Sequence, residues 1–162
     1  NDSINIEIGK VDKNDKNKIE SEAINQMITE LVNDTILSSY DYIKNAIPLI
    51  TKLSDEFYQL PDNNSWKQLT NLFEGIQWII QTLTQIDSIN DLNSIINYEK
   101  WNEYVQAVSQ LNEFIPELEN SIINKDNILI GDLLLYEIVP TFENMLDKLQ
   151  LLKPKAVKED VN

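Results

Sequence analysis

"SWKQLTNLFEGIQWIIQTLTQID", residues 65–87, decides the fold. Leu69, Leu72, Phe73, Ile76, Ile79, Ile80, Leu83 and Ile86 recur at intervals of three and four. That period puts every one of them on a single side of an α-helix, with Lys67, Gln68, Asn71, Glu74 and Gln77 on the other. A helix with one apolar side cannot stand alone in water, so the rest of the chain must supply partners for it. Just upstream, "PDNNS" (61–65) is a loop with a ready N-cap. Just downstream, "DSIND" (87–91) is a second break.

The same period runs outward in both directions. Residues 20–60 carry Ile24, Met27, Ile28, Leu31, Thr35, Tyr40, Ile43, Ile47, Ile50, Leu53, Phe57 and Leu60 as an apolar set, and the polar cluster Asn33, Asp34, Ser38 and Ser39 is expected to bend or break it. Residues 91–124 carry Leu92, Ile95, Ile96, Val105, Val108, Leu111, Phe114, Ile115, Leu118 and Ile122, with an interruption at 97–99 that makes one helix or two. After the turn "NKDN", residues 127–152 carry Leu129, Ile130, Leu133, Leu134, Ile138, Val139, Phe142, Leu146 and Leu149. Long amphipathic segments with short connections pack as antiparallel neighbours. The expected fold is therefore all-α: an up-and-down bundle of four to five helices over 20–152, with a polar tail at 153–162.

Residues 1–19 differ. Ile4, Ile6 and Ile8 alternate with polar residues, the pattern of a strand, and Gly9 ends it. "KVDKNDKNK" then reads as a charged linker. One strand makes no sheet, so this segment is expected to be either the end of an upstream domain or a tail.

Three prolines lie inside helical patterns: Pro48, Pro116 and Pro140. An interior proline costs a helix roughly 3 kcal/mol. Aligned on the proline, each site has apolar residues at −5, −2, −1 and +2. The apolar side thus continues through the proline, which predicts a bend beside the buried stripe rather than a helix end.

Composition removes whole classes of chemistry. The 162 residues include no cysteine, histidine or arginine. Disulfides, thiolate catalysis, imidazole bases and Glu-x-x-His metal sites go with them. No phosphate-binding loop, dinucleotide fingerprint, nucleophile elbow or EF-hand loop occurs. The formal charge of −14 opposes nucleic acid and anionic membrane surfaces as partners. No secretory signal is visible at the N-terminus, and the cytoplasm is the expected location. No catalytic residue, cofactor or metal ligand is assigned.

What remains is a surface. Trp78 and Tyr136 lie at the edges of apolar stripes, with Asp132, Glu143 and Asp147 near Tyr136 at helical spacing. Half-exposed aromatics with an acidic rim are the pattern of a site for a basic or amphipathic partner. Trp101 and Tyr104, in "NYEKWNEY", are the second choice. Gly75 and Gly131 sit inside helical patterns, where glycine costs about 1 kcal/mol against alanine, and close approach of a neighbour is the expected reason.

"FEGIQWI" (Glu74, Gly75, Trp78) and "GDLLLYEIVP" (Asp132, Leu133, Leu134, Tyr136, Glu137, Pro140) resemble motifs of a small all-helical family of low-GC Gram-positive bacteria without an assigned function. The resemblance covers about the last hundred residues and implies a helical fold but no activity. The expected role is a non-enzymatic interaction domain that binds a protein partner or associates with itself. Two alternatives stand beside it. One is an acidic chaperone of the secretion or flagellar type that masks a client's amphipathic helix. The other is a site for a metal or small molecule built of carboxylates alone.

Overall fold

The computed structural model describes residues 12–154. They fall into two compact units, divided after Asp34. Helix α1, Lys13–Gln59, contributes to both. The remaining elements are α2 (Asn63–Asp87), a 3-10 turn (Leu92–Ser94), α3 (Tyr98–Ser109), α4 (Leu111–Ile123), α5 (Asn127–Leu133), a π turn (Leu134–Ile138) and α6 (Val139–Leu152). The described residues are all-α, as expected. The alternating segment Ile4, Ile6, Ile8 lies outside the described residues.

The first unit, up to Asp34, is helical from Lys13, so the charged run at 13–18 is helix and not linker. Asp12 explains the start: its carboxylate accepts the Asn14 backbone N–H at 3.2 Å, and Asp15 lies in the first turn, where a negative charge is favoured. Lysine is a good helix former, so a lysine-rich run lacks apolar period without lacking helix propensity. Ile19, Ile24, Met27 and Leu31 of this unit are all more than half exposed, although the apolar pattern placed three of them in the core.

The second unit, from Thr35, is the bundle. The section of α1 from residue 35 onward touches most of the other helices. Phe57 meets Trp66 edge-on at 5.0 Å and Tyr42 meets Trp78 at 6.2 Å, which makes α1 and α2 antiparallel. Tyr58 lies on Gly131 and Lys153 stacks over Tyr40 at 4.3 Å, so the α5–α6 arm also runs antiparallel to α1. α3 packs along α6, and α4 packs on α5. Trp101, Phe57, Phe142, Ile36, Ile43, Ile79, Leu111, Leu118 and Leu134 are fully enclosed and form the common core.

The helix starts follow local chemistry. Asp62 caps α2 with a capping box, in which its carboxylate accepts the Ser65 N–H and the Ser65 hydroxyl accepts the Asp62 N–H. Those bonds hold the Asp62 carboxyl below its ordinary range, the Ser65 backbone N–H contributing most. Asn97 caps α3 and Asp126 caps α5 by the side chain alone, accepting the Lys100 and Leu129 backbone N–H. The expected break at Ser38–Ser39 is absent. Ser39 is buried and its hydroxyl bonds the Tyr104 hydroxyl, so a tertiary partner satisfies the polar group and the helix runs on.

All three interior prolines are exposed and lie beside the buried side. Pro48 sits within an unbroken α1. Before Pro116, the helix tightens at Gln110, and α4 restarts about a turn ahead of the proline. Before Pro140 the chain makes a π turn, with the Val139 N–H bonded to the Leu134 carbonyl five residues back. The extra residue in that turn moves the buried register by one. Leu134, at −6, takes the fully buried place that Ile43 and Leu111 hold at −5, and Leu135 is only half-buried.

Candidate functional site

An apolar concavity of the bundle lies between α1 and α2. Its walls are Tyr42, Asn45, Ala46, Leu49, Ile50 and Leu53 from α1, with Gln68, Asn71 and Leu72 from α2, around a cavity of about 240 Å³. Leu49 stands at its lip, 62% exposed. Its floor is Ala46, Ile50, Leu53 and Leu72, all buried. Asn45, Gln68 and Asn71 supply neutral amides at the edge.

Residue size opens this groove. Antiparallel helices packed on large side chains close the space between them, whereas Ala46 and Gly75 keep two points low. The Tyr42 hydroxyl and ring lie directly on Gly75, where any side chain would collide with them. Burial alone raises the Tyr42 hydroxyl above its ordinary pKa. Tyr42 therefore forms one end of the groove, held by Gly75 beneath and by the edge of Trp78 beside it. Gly75, where close approach of a neighbour was expected, and Trp78, expected to anchor a partner, together form the socket for this tyrosine.

"GDLLLYEIVP" contains a second socket of the same kind. The Tyr58 ring lies on Gly131, and its hydroxyl donates to the Asp132 carboxylate at 2.6 Å. Burial first, then the Asp132 carboxylate, push the Tyr58 hydroxyl up to about 12. Asp132 thus has a tertiary role as an acceptor, which sequence alone assigned to a partner's rim. In both cases close approach explains the helical glycine, and the approaching group is a tyrosine ring rather than a backbone.

The expected partner surface does not form one patch. Trp78 is 38% exposed and stands at Tyr42; Tyr136 is 65% exposed and lies near Tyr58. Tyr42 and Tyr58 are about 24 Å apart along α1, at 1.5 Å per residue. Trp78 borders the groove through Tyr42, while Tyr136, Asp132, Glu143 and Asp147 lie elsewhere, Glu143 and Asp147 exposed. The second choice fails on burial. Trp101 is 0% and Tyr104 2% exposed, Trp101 donating its indole N–H to Asp87 at 2.9 Å. Both belong to the core, and burial pushes the Tyr104 hydroxyl well above its ordinary pKa.

Sequence reasoning passed over Leu49, Asn45, Gln68 and Asn71. One signal was present: Leu49 follows Tyr42 by seven residues, off the stripe that faces the core. A second depression of about 400 Å³ lies at the α2–α3 connection, lined by Asp87, Ile89, Asn90, Asp91, Leu92, Asn93 and Tyr98. Its lining is mostly polar. Among the described residues no three acids converge as metal ligands, and no helix is long and apolar enough to cross a membrane.

Residues 34–148 match the family model described as Domain of unknown function (DUF8042). The chain belongs to this family. The match begins at residue 34, one residue before the second compact unit, and contains the groove and both tyrosine sockets. The DUF8042 domain is thus the bundle, and the helical segment before Asp34 lies outside it. No curated protein and no solved structure matches the chain.

Proposed function

We propose that the DUF8042 bundle is a non-enzymatic interaction domain whose α1–α2 groove receives the apolar side of a helix. The groove carries the proposal: an apolar floor, an exposed leucine at the lip and a rim of neutral amides, between two parallel walls of helix. That is the geometry by which amphipathic helices dock, their apolar positions inserting between two helices of the host. The cavity is smaller than the roughly 300–1,000 Å³ of small-molecule pockets, and it is open along its length, which suits a row of side chains better than one compact ligand. Among the readings of the sequence, the groove favours helix masking over a site built of carboxylates, since no acid lines it.

A synthetic amphipathic helix of leucine and lysine, labelled for fluorescence anisotropy, is the direct probe. The intact protein should bind it, and Leu49→Asp should weaken binding at least tenfold without a change in the far-ultraviolet circular dichroism. No binding, or equal binding by Leu49→Asp, refutes the groove.

A further inference from the structure

We infer that the natural occupant of the groove is the N-terminal helical segment, residues 13–34, of a second copy of this chain, the two copies exchanging segments about a twofold axis. This rests on the groove reading above and names its partner. Three observations support it.

The first is register. In the first unit, Ile24, Ile28 and Leu31 follow at intervals of four and three. In the second unit, Tyr42, Asn45 and Leu49 follow at three and four, and all three line the groove. These are complementary halves of a heptad pattern, the order d, a, d in one and a, d, a in the other. Run antiparallel, the two segments place Ile24 on Leu49, Ile28 on Asn45 and Leu31 on Tyr42. The same register sets Met27, the longest of the exposed apolar side chains, over Ala46, the smallest residue of the groove. Because each copy offers both halves, the contact is isologous and closes as a dimer.

The second is charge. This register puts Lys52 opposite Ser21, between Glu20 and Glu22, an attractive contact on the seam. Two like-charged pairs oppose it: Asp34 with Asp41 and Glu20 with Asp55 stand at the same offset across the seam, which limits affinity.

The third is exposure outside the family domain. Ile24, Met27 and Leu31 are 56–68% exposed. They lie before residue 34, where the family match begins. Apolar side chains that the bundle itself does not enclose, carried in a pattern matched to its groove, are accounted for by a second bundle.

The chain has no cysteine, so introduced pairs report geometry without background. Ile24→Cys and Leu49→Cys variants of the full chain are mixed, oxidised and run without reductant. A disulfide-linked pair should form in the mixture and in neither variant alone, because the register pairs position 24 with position 49 and neither position with itself. Sedimentation should give twice 18.8 kDa for the intact protein and 18.8 kDa for Leu49→Glu. Lys52→Glu should weaken the dimer at least tenfold and Glu22→Lys in that background should recover part of the loss, while Asp41→Asn should tighten it. An 18.8 kDa monomer at 100 μM protein, or a link between two Ile24→Cys copies, overturns the exchange. The leucine–lysine peptide separates the failures. If the chain is monomeric and the peptide still binds in a Leu49-dependent way, the occupant is wrong and the groove stands; if neither occurs, both fall.

Discussion

Replacing Gly131 by alanine puts a methyl group where a tyrosine ring already lies. A Cβ there would stand 2.8 Å from Tyr58 Cε1, 2.9 Å from Cδ1 and 3.1 Å from Cζ. The ring is held at both ends. Its backbone belongs to α1, and its hydroxyl is bonded to Asp132 at 2.6 Å. Relief requires either that α5 move away from α1, an overpacking cost of about 1–3 kcal/mol, or that the hydrogen bond break, about 0.5–1.5 kcal/mol for a half-buried pair. Alanine returns about 1 kcal/mol of helix propensity. The net expectation lies between about neutral and a loss of about 2 kcal/mol, a fall in Tm of up to about 8 °C for a chain of this size. Urea melts followed by circular dichroism measure it, in the natural background and with Tyr58→Phe. Without the hydroxyl the ring can tilt, so the cost of Gly131→Ala should shrink by at least about 0.5 kcal/mol in the second background. A Gly131→Ala that stabilises by the full helix-propensity gain of about 1 kcal/mol, or the same effect in both backgrounds, refutes the pinned ring. Gly75→Ala is the internal comparison. There the obstacle is the tip of Tyr42, which can swing aside at the expense of its edge-on contact with Trp78, so the change should fall within about 1 kcal/mol of neutral.

Pro140→Ala should be neutral or stabilising by up to about 1 kcal/mol, since it restores a donor while Leu134, Ile138 and Phe142 keep the register; a loss above about 2 kcal/mol in the same melts would show that packing requires the bend. Trp101→Ala should cost about 3–5 kcal/mol, because it empties the largest enclosed side chain and leaves Asp87 without its indole donor; a loss under about 1 kcal/mol would place Trp101 outside the core. Stability should fall in alkali. The Tyr58 hydroxyl is raised in the folded state to about 12, so its contribution is whole below the unfolded value near 10 and is lost as pH rises through 12. Tyr58→Phe should flatten that decline in melts taken from pH 9 to 12. In acid the sign reverses for Asp62, whose lowered carboxyl stabilises above its unfolded value and ceases to as pH falls; Asp62→Ala should lower Tm at pH 7 and narrow the difference between pH 7 and pH 3.

The helical period made most of the bundle legible, because an apolar side three to four residues apart has to be buried somewhere. α2, the α5–α6 arm and the continuation of the apolar side past the three prolines were readable this way. Misreadings have two physical causes. Period reports that a residue is apolar, not that a partner covers it: Ile24, Met27 and Leu31 continue the pattern and are exposed. Polarity likewise hides burial when a tertiary partner exists, as for Ser39 with Tyr104, where a cluster that looked like a break is continuous helix.

The sequence by itself determined the all-α class, the starts of α2 and α5 and the absence of thiol and imidazole side chains, since each depends on residue type and local spacing. Only the tertiary structure decided which aromatic residues serve as surface. Trp101 and Trp78 both border apolar stripes in the sequence, yet one is enclosed and the other stands 38% exposed beside Tyr42. The groove itself was decided there too. Its walls come from α1 and α2, with Ala46 and Leu72, 26 positions apart in the chain, both on its floor, and distance along a sequence carries no record of which residues will meet.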